Sequence, residues 1–481
     1  MPKGKNITKV VNRNGRYGRR CLGKGLFIDN DSYKTGLNNH DLIVAGSRGG
    51  KTGCIVYPQL KMAGDCSLIV TDSKRLLHRM FREELEMKGY RVRTLDFVDP
   101  ENSCMYNPLD YVRVNKDGSY NELDIMKISM ALVPERMDAK DPFWSVSARA
   151  FLDFFIGYCL EALPEEDHIM DTVGRLYRTF TGEMGEAGFL GWIDRHQDSF
   201  VAKRYAEIKS IQSSEKTLSS IYAFVNTALY PFDVKQLHNI FGWPVQYPEP
   251  DDYEDMEDLA ELYGVYPDDE DVLESFPAAK EDTNKDTEAE GNVCDYLDIA
   301  SLGKEKTVLF LNISDTDHSM DSLVNLFYTQ VLQTLVSEAD EHDNGQLEVP
   351  CRIIFDDFAG GATIPDFDKI ISVVGSRDIW LTMCVQSLSQ LESLYSPAQA
   401  LTIRNNCDHM VYMGGSDPGT ADYIGLRAGK IPESILAMPR SKEYFIEGGK
   451  KAQLKDKVPP YSFVEEDEKP DEMPKLPSSV K

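Results

Sequence analysis

Asp41-Leu-Ile-Val-Ala-Gly-Ser-Arg-Gly-Gly-Lys-Thr-Gly53 decides how the rest of the chain is read. Residues 42–44 are a short apolar run, the next six form a glycine-rich turn, and residues 54–62 can be helical, with Pro58 interrupting them. A strand, a tight loop and a helix N-terminus in that order build a phosphate cradle: backbone N–H groups wrap the anion and the helix dipole favours its charge. In such a loop the lysine reaches the terminal phosphates and the following hydroxyl ligates Mg²⁺, which makes Ala45, Gly46, Ser47, Arg48, Gly49, Gly50, Lys51 and Thr52 the candidate nucleotide-binding residues. Ala45 stands where the pattern has its first glycine, and Arg48 stands where a small residue is usual. The plainer alternative is a glycine-rich turn before a helix with a chance Lys-Thr pair.

Working outward, residues 67–72 (Ser-Leu-Ile-Val-Thr-Asp) read as a buried parallel strand, residues 74–88 as a helix and residues 91–95 as the next strand. Strands alternating with helices predict an α/β sheet with ligands at the carboxyl ends of the strands. From about residue 121 to 241 the character changes: residues 144–163, preceded by Asp141-Pro142, and residues 214–229 read as helices, and no comparable strand run intervenes. This predicts an all-α domain inserted into the α/β one, its apolar stripes forming core. The α/β pattern resumes with a strand at 307–313, a helix at 319–340, a strand at 352–357, a helix at 367–374, a strand at 379–385 and a helix from 387. Residues 409–413 and 421–429 close the domain.

At 481 residues the chain is long enough for two or three domains, and 42% hydrophobic with 27% charged residues is ordinary for a globular protein. No apolar run reaches membrane-spanning length, and nine scattered cysteines contain no C-x-x-C pair; with no export signal, this predicts a reduced, cytoplasmic protein. The eight histidines show no metal-ligand spacing with the cysteines. A net charge of −27 argues against non-specific nucleic-acid binding by the chain as a whole, but the charge is uneven. Residues 249–290 hold 18 Asp/Glu against Lys280 and Lys285, a local net of −16, whereas residues 1–24 hold eight Lys/Arg and no acid. The expected organisation is a basic arm (1–25), a first α/β part (26–120), the all-α insertion (121–244), an acidic segment without fixed structure (245–292), a second α/β part (293–457) and a flexible acidic tail (458–481). The arm either touches anionic lipid or nucleic acid or is simply a solvated terminus.

Ile353-Ile-Phe-Asp356-Asp357 is an apolar strand ending in two carboxylates. Opposite a phosphate cradle, Asp356 is expected to bind Mg²⁺ and Asp357 to polarise the attacking water, a role in which glutamate is commoner; a strand-end pair capping a loop is the alternative. Gln386, after the strand 379–385, can sense a γ-phosphate or bond within its loop. Arg377 can reach a phosphate in its own or a neighbouring subunit's site, or form a surface salt bridge. Asp72 and Lys74 can line the site, with Asp72 equally suited to capping the next helix.

These residues carry a resemblance. His40-Asp-Leu-Ile-Val-Ala-Gly-Ser-Arg-Gly-Gly-Lys-Thr52, Val70-Thr-Asp-Ser-Lys74, Tyr106-Asn-Pro-Leu109, Asp141-Pro-Phe-Trp144, Ser214-Glu-Lys-Thr217, Asp356-Asp-Phe358, Gln386-Ser-Leu-Ser-Gln390 and Asn406-Cys-Asp408 occur in one order across residues 35–430. That ordered set resembles the coupling-protein ATPases of conjugative type IV secretion, the TraG/TraD-type family, and in particular its Gram-positive integrative-element branch. The resemblance implies a RecA-like P-loop NTPase domain with a parallel-rich central sheet and an inserted all-α domain. It implies a homo-hexamer that uses ATP and Mg²⁺ to deliver relaxase-bound single-stranded DNA to the secretion channel. It further implies that Lys51, Thr52, Asp356, Asp357, Gln386 and Arg377 hold the roles given above, and that the all-α domain meets relaxase or DNA. The family commonly has an N-terminal membrane anchor; none is seen here, so a peripheral position at the inner face of the membrane, through a partner protein, is expected. A catalytically degenerate adaptor is the alternative that Ala45, Arg48 and Asp357 suggest, and a chromosome-partition or repair translocase of similar fold is a third.

Overall fold

The computed structural model describes residues 16–134, 142–182, 185–211, 215–242, 296–314, 316–358 and 363–463. Its strands are β1 (Arg19–Gly23), β2 (Leu26–Asp29), β3 (Asp41–Val44), β4 (Ser67–Thr71), β5 (Arg91–Asp96), β6 (Thr307–Asn312), β7 (Cys351–Phe355), β8 (Ile379–Val385), β9 (His409–Tyr412), β10 (Lys442–Glu447) and β11 (Gln453–Asp456). The first two make a separate antiparallel hairpin, and the rest form one sheet in the order β11-β10-β9-β3-β8-β7-β4-β6-β5. All neighbours from β9 to β5 are parallel; β10 runs antiparallel to β9 and β11.

The parallel strands read as unbroken apolar runs because each is covered on both faces. Leu42 and Val44, Ile69, Leu309 and Leu311, Ile353 and Phe355, and Leu381 and Met383 point into one core. Ile43, Leu68 and Val70, Val308 and Phe310, Ile354, Trp380 and Cys384 point into the other. The pleat thus divides each run between two layers. One layer holds the helices Asp321–Glu341, Phe367–Val374, Leu388–Leu394 and Pro397–Asn405; the opposite layer holds the helix that follows β3 and the helix Leu77–Met87.

Between β5 and β6 the elements described from Glu122 to Phe241 are all helices. Their centre is Phe143–Ala162, on which Phe151, Phe154 and Phe155 are fully buried and meet Phe180 and Tyr222 with ring centroids 5.4–6.1 Å apart. This core is continuous with that of the sheet face. Gln330 on Asp321–Glu341 donates to the Pro108 carbonyl (2.8 Å), Tyr106 donates to Gln330, and the Phe327 ring stands edge-on to Tyr106 at 5.5 Å.

Several expectations change here. Arg16, Arg19 and Arg20 belong to the fold and not to a loose basic arm: Arg20 is buried against Asp41, and Arg16 pairs with Asp378 at 3.0 Å. The physical reason is Asp41, a carboxylate with no solvent exposure, which needs a counter-charge. Residues 1–15 and the acidic segment 245–292 lie outside the described residues. The tail from 458 does not begin as a free end, since Val458 and Ser462 are buried and the Tyr461 N–H donates to the Gly53 carbonyl at 2.9 Å. Strands β10 and β11 went unread because Lys442-Glu-Tyr-Phe-Ile-Glu447 and Gln453-Leu-Lys-Asp456 are short and charged, as suits the edge of a sheet.

Glu443 of β10 is fully buried, and neither carboxylate oxygen has a hydrogen-bond partner among the described residues. Burial pushes its carboxyl up to about 8, against the pull of Lys457 and with a smaller push from Asp456. The folded protein therefore keeps a proton that an unfolded chain releases near pH ~4.3. Stability is lost as pH rises between those two values and stays low above them. Glu443→Gln should accordingly match the wild type at pH 4 and exceed it at pH 9 by at least about 1 kcal/mol, read from thermal unfolding at the two pH values. Equal stability at pH 9 would contradict this.

Candidate functional site

The parallel register brings the strand ends to one edge of the sheet. Val44 lies opposite Val385 and Tyr412, Phe355 opposite Met383, and Ile354 opposite Val70. The residues that follow, Ala45, Gln386, Asp356 and Asp72, therefore emerge side by side at the carboxyl ends, where an open α/β sheet takes its ligand.

The loop after β3 is sewn to its neighbours through the backbone. Ala45 N–H donates to the Val385 carbonyl (3.0 Å), Gly46 N–H to that of Gly414 (2.9 Å), and Gly49 N–H back to that of Gly46 (2.9 Å). A Cβ on Gly49 would sit 2.7 Å from the Gly46 carbonyl oxygen and 2.8 Å from the Ala45 Cβ, so glycine is required there. Gly50 adopts φ 97°, and Arg48, at φ 58°, takes the left-handed conformation with its side chain in solvent. Ala45 is buried and is not among the residues with positive φ, so an alanine in the first glycine position leaves the loop closed and adds no left-handed backbone strain at that position. The N–H groups of Ser47, Arg48 and Gly50 donate to no group among the described residues.

The helix after the loop opens with a wide π turn, Thr52–Val56, before the α-helical Tyr57–Met62. Tyr57 N–H reaches back five residues to the Thr52 carbonyl. Pro58 explains the widening, because it has no N–H to give and its ring would press on the carbonyl four residues earlier.

Across the edge, Thr52 Oγ1 donates to Asp356 Oδ2 at 2.5 Å, joining residues 304 positions apart. Asp356 Oδ1 is shut off from solvent and has no partner among the described residues. Burial pushes the Asp356 carboxyl up to about 6; the Thr52 hydrogen bond and Lys51 oppose this, and Asp357 and Asp72 add to it. A hydroxyl and a carboxylate with an unused oxygen, both hard oxygen donors in a field of three acids and one lysine, fit a divalent cation such as Mg²⁺.

Asp72 serves the cap that the sequence offered as one of its two readings. Its carboxylate accepts from the N–H groups of Leu76 (3.1 Å) and His78 (3.0 Å), while its charge is felt at Asp356. Lys74 is exposed, and Arg75 pairs with Asp96 and Asp99. Gln386 is exposed at the end of β8, the strand between β3 and β7, and its N–H donates to Gln390 Oε1 at 3.0 Å. Arg377 is a correction as far as its own site is concerned. It precedes β8, whose seven residues put roughly 20 Å between it and the phosphate edge. Its guanidinium pairs with Asp340 at 2.8 and 3.2 Å, the salt bridge that the sequence left open. Two participants were missed: Gly414, whose carbonyl holds Gly46, and Lys457, whose ammonium donates to the Gly49 carbonyl. A glycine pair at 414–415 directly after a strand was the available signal for the first; nothing local marks the second.

Residues 2–241 match the family model for conjugative DNA transfer by the type IV secretory system, and residues 350–443 match the one for the TraM recognition site of TraD and TraG. The chain belongs to the TraG/TraD-type conjugative coupling family. No curated protein sequence matches it. Among solved structures, this coupling-family chain is similar to the bacterial conjugative coupling protein TrwBdeltaN70 in its trigonal form with sulphate (TM-score 0.59, 14% identity, 91% of this chain and 89% of that one). TrwB in complex with ADP and Mg²⁺ gives 0.58, 13%, 91% and 89%, and TrwB with the non-hydrolysable analogue ADPNP gives 0.59, 12%, 91% and 89%. At such identities the likeness concerns the fold, a RecA-like P-loop NTPase with an all-α region, which is the fold class expected from the sequence. No helix among the described residues of this coupling-family member is long and apolar enough to cross a membrane.

Proposed function

We propose that this TraG/TraD-type protein is an ATP-driven motor that delivers relaxase-bound single-stranded DNA to a conjugative type IV secretion channel. The observation that carries the reading is the direct Thr52–Asp356 hydrogen bond, which sets a loop hydroxyl and a strand-end carboxylate side by side at the place where a Mg²⁺–triphosphate would lie. Bound Mg²⁺–ATP would supply a polarised γ-phosphate. Lys51 and the open N–H groups of the loop bind and orient the phosphates, Thr52 and Asp356 hold the cation, Asp357 orients and deprotonates the water, and Gln386 senses the γ-phosphate. Arg377 serves a site only across a subunit boundary, which requires the homo-hexamer. The domain limits given above, relaxase or DNA on the 121–244 region, a peripheral place at the membrane through a partner and the Gram-positive integrative-element branch belong to this reading.

Family membership supports a role in DNA transfer and partners within the secretion apparatus. The adaptor reading loses one of its three motives, since Ala45 leaves the loop closed. ATP turnover by the purified protein should rise several-fold on adding single-stranded DNA, and the stimulation should weaken steeply with salt because phosphate contacts release counterions. A folded, assembled protein with no DNA-stimulated turnover would sink the motor reading.

A further inference from the structure

We propose that Lys457 is a positioning residue of the nucleotide site; this rests on the ATP-binding reading above. Its ammonium donates to the Gly49 carbonyl at 3.1 Å and to the Met413 carbonyl at 2.7 Å, tying the phosphate loop to the end of β9. The same two segments are already joined by the Gly46 N–H to Gly414 and the Met413 N–H to Val44 (2.8 Å), so Lys457 closes a ring of bonds behind the loop. The direction of the grip matters. The described peptides are all trans, so the carbonyl of Gly49 and the N–H of Gly50 point in opposite directions within one peptide plane. Holding that carbonyl on the protein side turns the Gly50 N–H, which has no partner among the described residues, away from the protein body and toward the phosphate position.

The lysine is itself held from both ends. Its N–H donates to the Ser441 carbonyl at 2.9 Å, and burial lowers the pKa of its ammonium against smaller opposing pulls from Cys54 and Glu443. Val458 is buried, and Pro459 and Pro460, both with fixed φ, follow it; Pro460 packs against Gly53, where an added Cβ would meet Pro460 Cβ at 3.1 Å. Tyr461, at φ 56°, donates its N–H to Gly53 and sets its ring edge-on to Tyr57 with centroids 5.9 Å apart. The segment from Lys457 to Tyr461 thus runs along the back of the loop and the first turn of its helix, and its one cation is spent on two loop-side carbonyls.

The test compares wild type, Lys457→Met and Lys457→Arg by titration with Mg²⁺–ATP and by thermal unfolding without nucleotide. Lys457→Met should weaken Mg²⁺–ATP binding about tenfold or more, as loss of a charge-assisted bond implies, with the nucleotide-free Tm within ~3 °C of wild type. Lys457→Arg, which keeps donors for both carbonyls, should restore binding to within about threefold. Wild type that binds while Lys457→Met binds equally well overturns the proposal and leaves the ATP reading standing; wild type that does not bind overturns that reading instead. If Lys457→Met fails to fold, Lys457→Gln is read in the same way, and failure of both to fold shows a purely structural lysine and overturns the proposal.

Discussion

Lys51→Ala lowers ATP turnover by about two orders of magnitude or more, the scale on which a charge placed at a transferring phosphoryl group acts. The fold should survive the change, because Lys51 is only half-buried and makes no ion pair or side-chain hydrogen bond among the described residues. Its pull on Asp356 is what the site loses first. Lys51 is one of two influences that hold the Asp356 carboxyl down against burial and against Asp357 and Asp72, so its removal makes the cation ligand a weaker anion at neutral pH. Asp356→Asn should cost a similar factor by the complementary route, leaving Thr52 beside a neutral amide that binds Mg²⁺ poorly. Phosphate release by the purified variants, with nucleotide-free Tm values within ~3 °C of wild type as the control for folding, measures both. Turnover that survives Lys51→Ala would show that the loop is not where ATP is handled, and DNA transfer that survives it would favour the adaptor.

The second large effect is on stability and lies at the other end of β3. Asp41 is completely buried between two guanidiniums that are themselves 2% exposed. Arg20 forks onto it with bonds of 2.8–3.1 Å, Arg352 Nη1 donates to it at 3.1 Å, and Thr382 Oγ1 donates at 3.0 Å. Burial alone would raise the Asp41 carboxyl, but Arg20 first and then Arg352 outweigh it and hold the group below the usual carboxylate range. Asn30, Asn39, His409 Nδ1 and Thr382 Oγ1 take further guanidinium donors, and Asp41 supplies the one carboxylate among these partners. Asp41→Asn leaves two buried cations without a counter-charge and should cost about 3–5 kcal/mol, the measured range for breaking a buried pair from one side. Urea unfolding reads this as a lower midpoint at unchanged slope. Replacing Arg20 by Met in the Asp41→Asn background should return part of the loss, because one of the stranded charges goes with it. A loss below 1 kcal/mol in the single variant would mean that water reaches the cluster.

The two residues also show how unevenly this protein can be read from its chain. Lys51 announces itself, because an apolar run, a glycine turn and a Lys-Thr pair are contiguous and each encodes its own local geometry. Asp356 is nearly as plain, as a carboxylate pair ending an apolar strand. Asp41, one residue before that same apolar run, gives no hint that it is the anion of a buried cluster, since its partners come from residue 20 in a stretch that reads as a basic arm and from residue 352. Arg20 and Lys457 share the difficulty: a surface-type residue in a polar segment looks the same whether it ends in water or on a buried carbonyl.

What the sequence by itself determined is the set of parallel strands, their alternation with helices, the all-helical stretch between residues 121 and 241, the phosphate loop and the acidic strand end. All of these follow from periodicity and turn chemistry within a window of about twenty residues. Only the tertiary structure decided that β8 lies between β3 and β7, that Thr52 meets Asp356 while Arg377 is stranded at the far end of its strand, and that the segment after β11 returns to grip the loop. Hydrogen-bonding capacity and hydrophobic pattern are properties of a segment, whereas strand order and the pairing of distant charges depend on which burial satisfies every polar group at once, and that is a property of the whole chain.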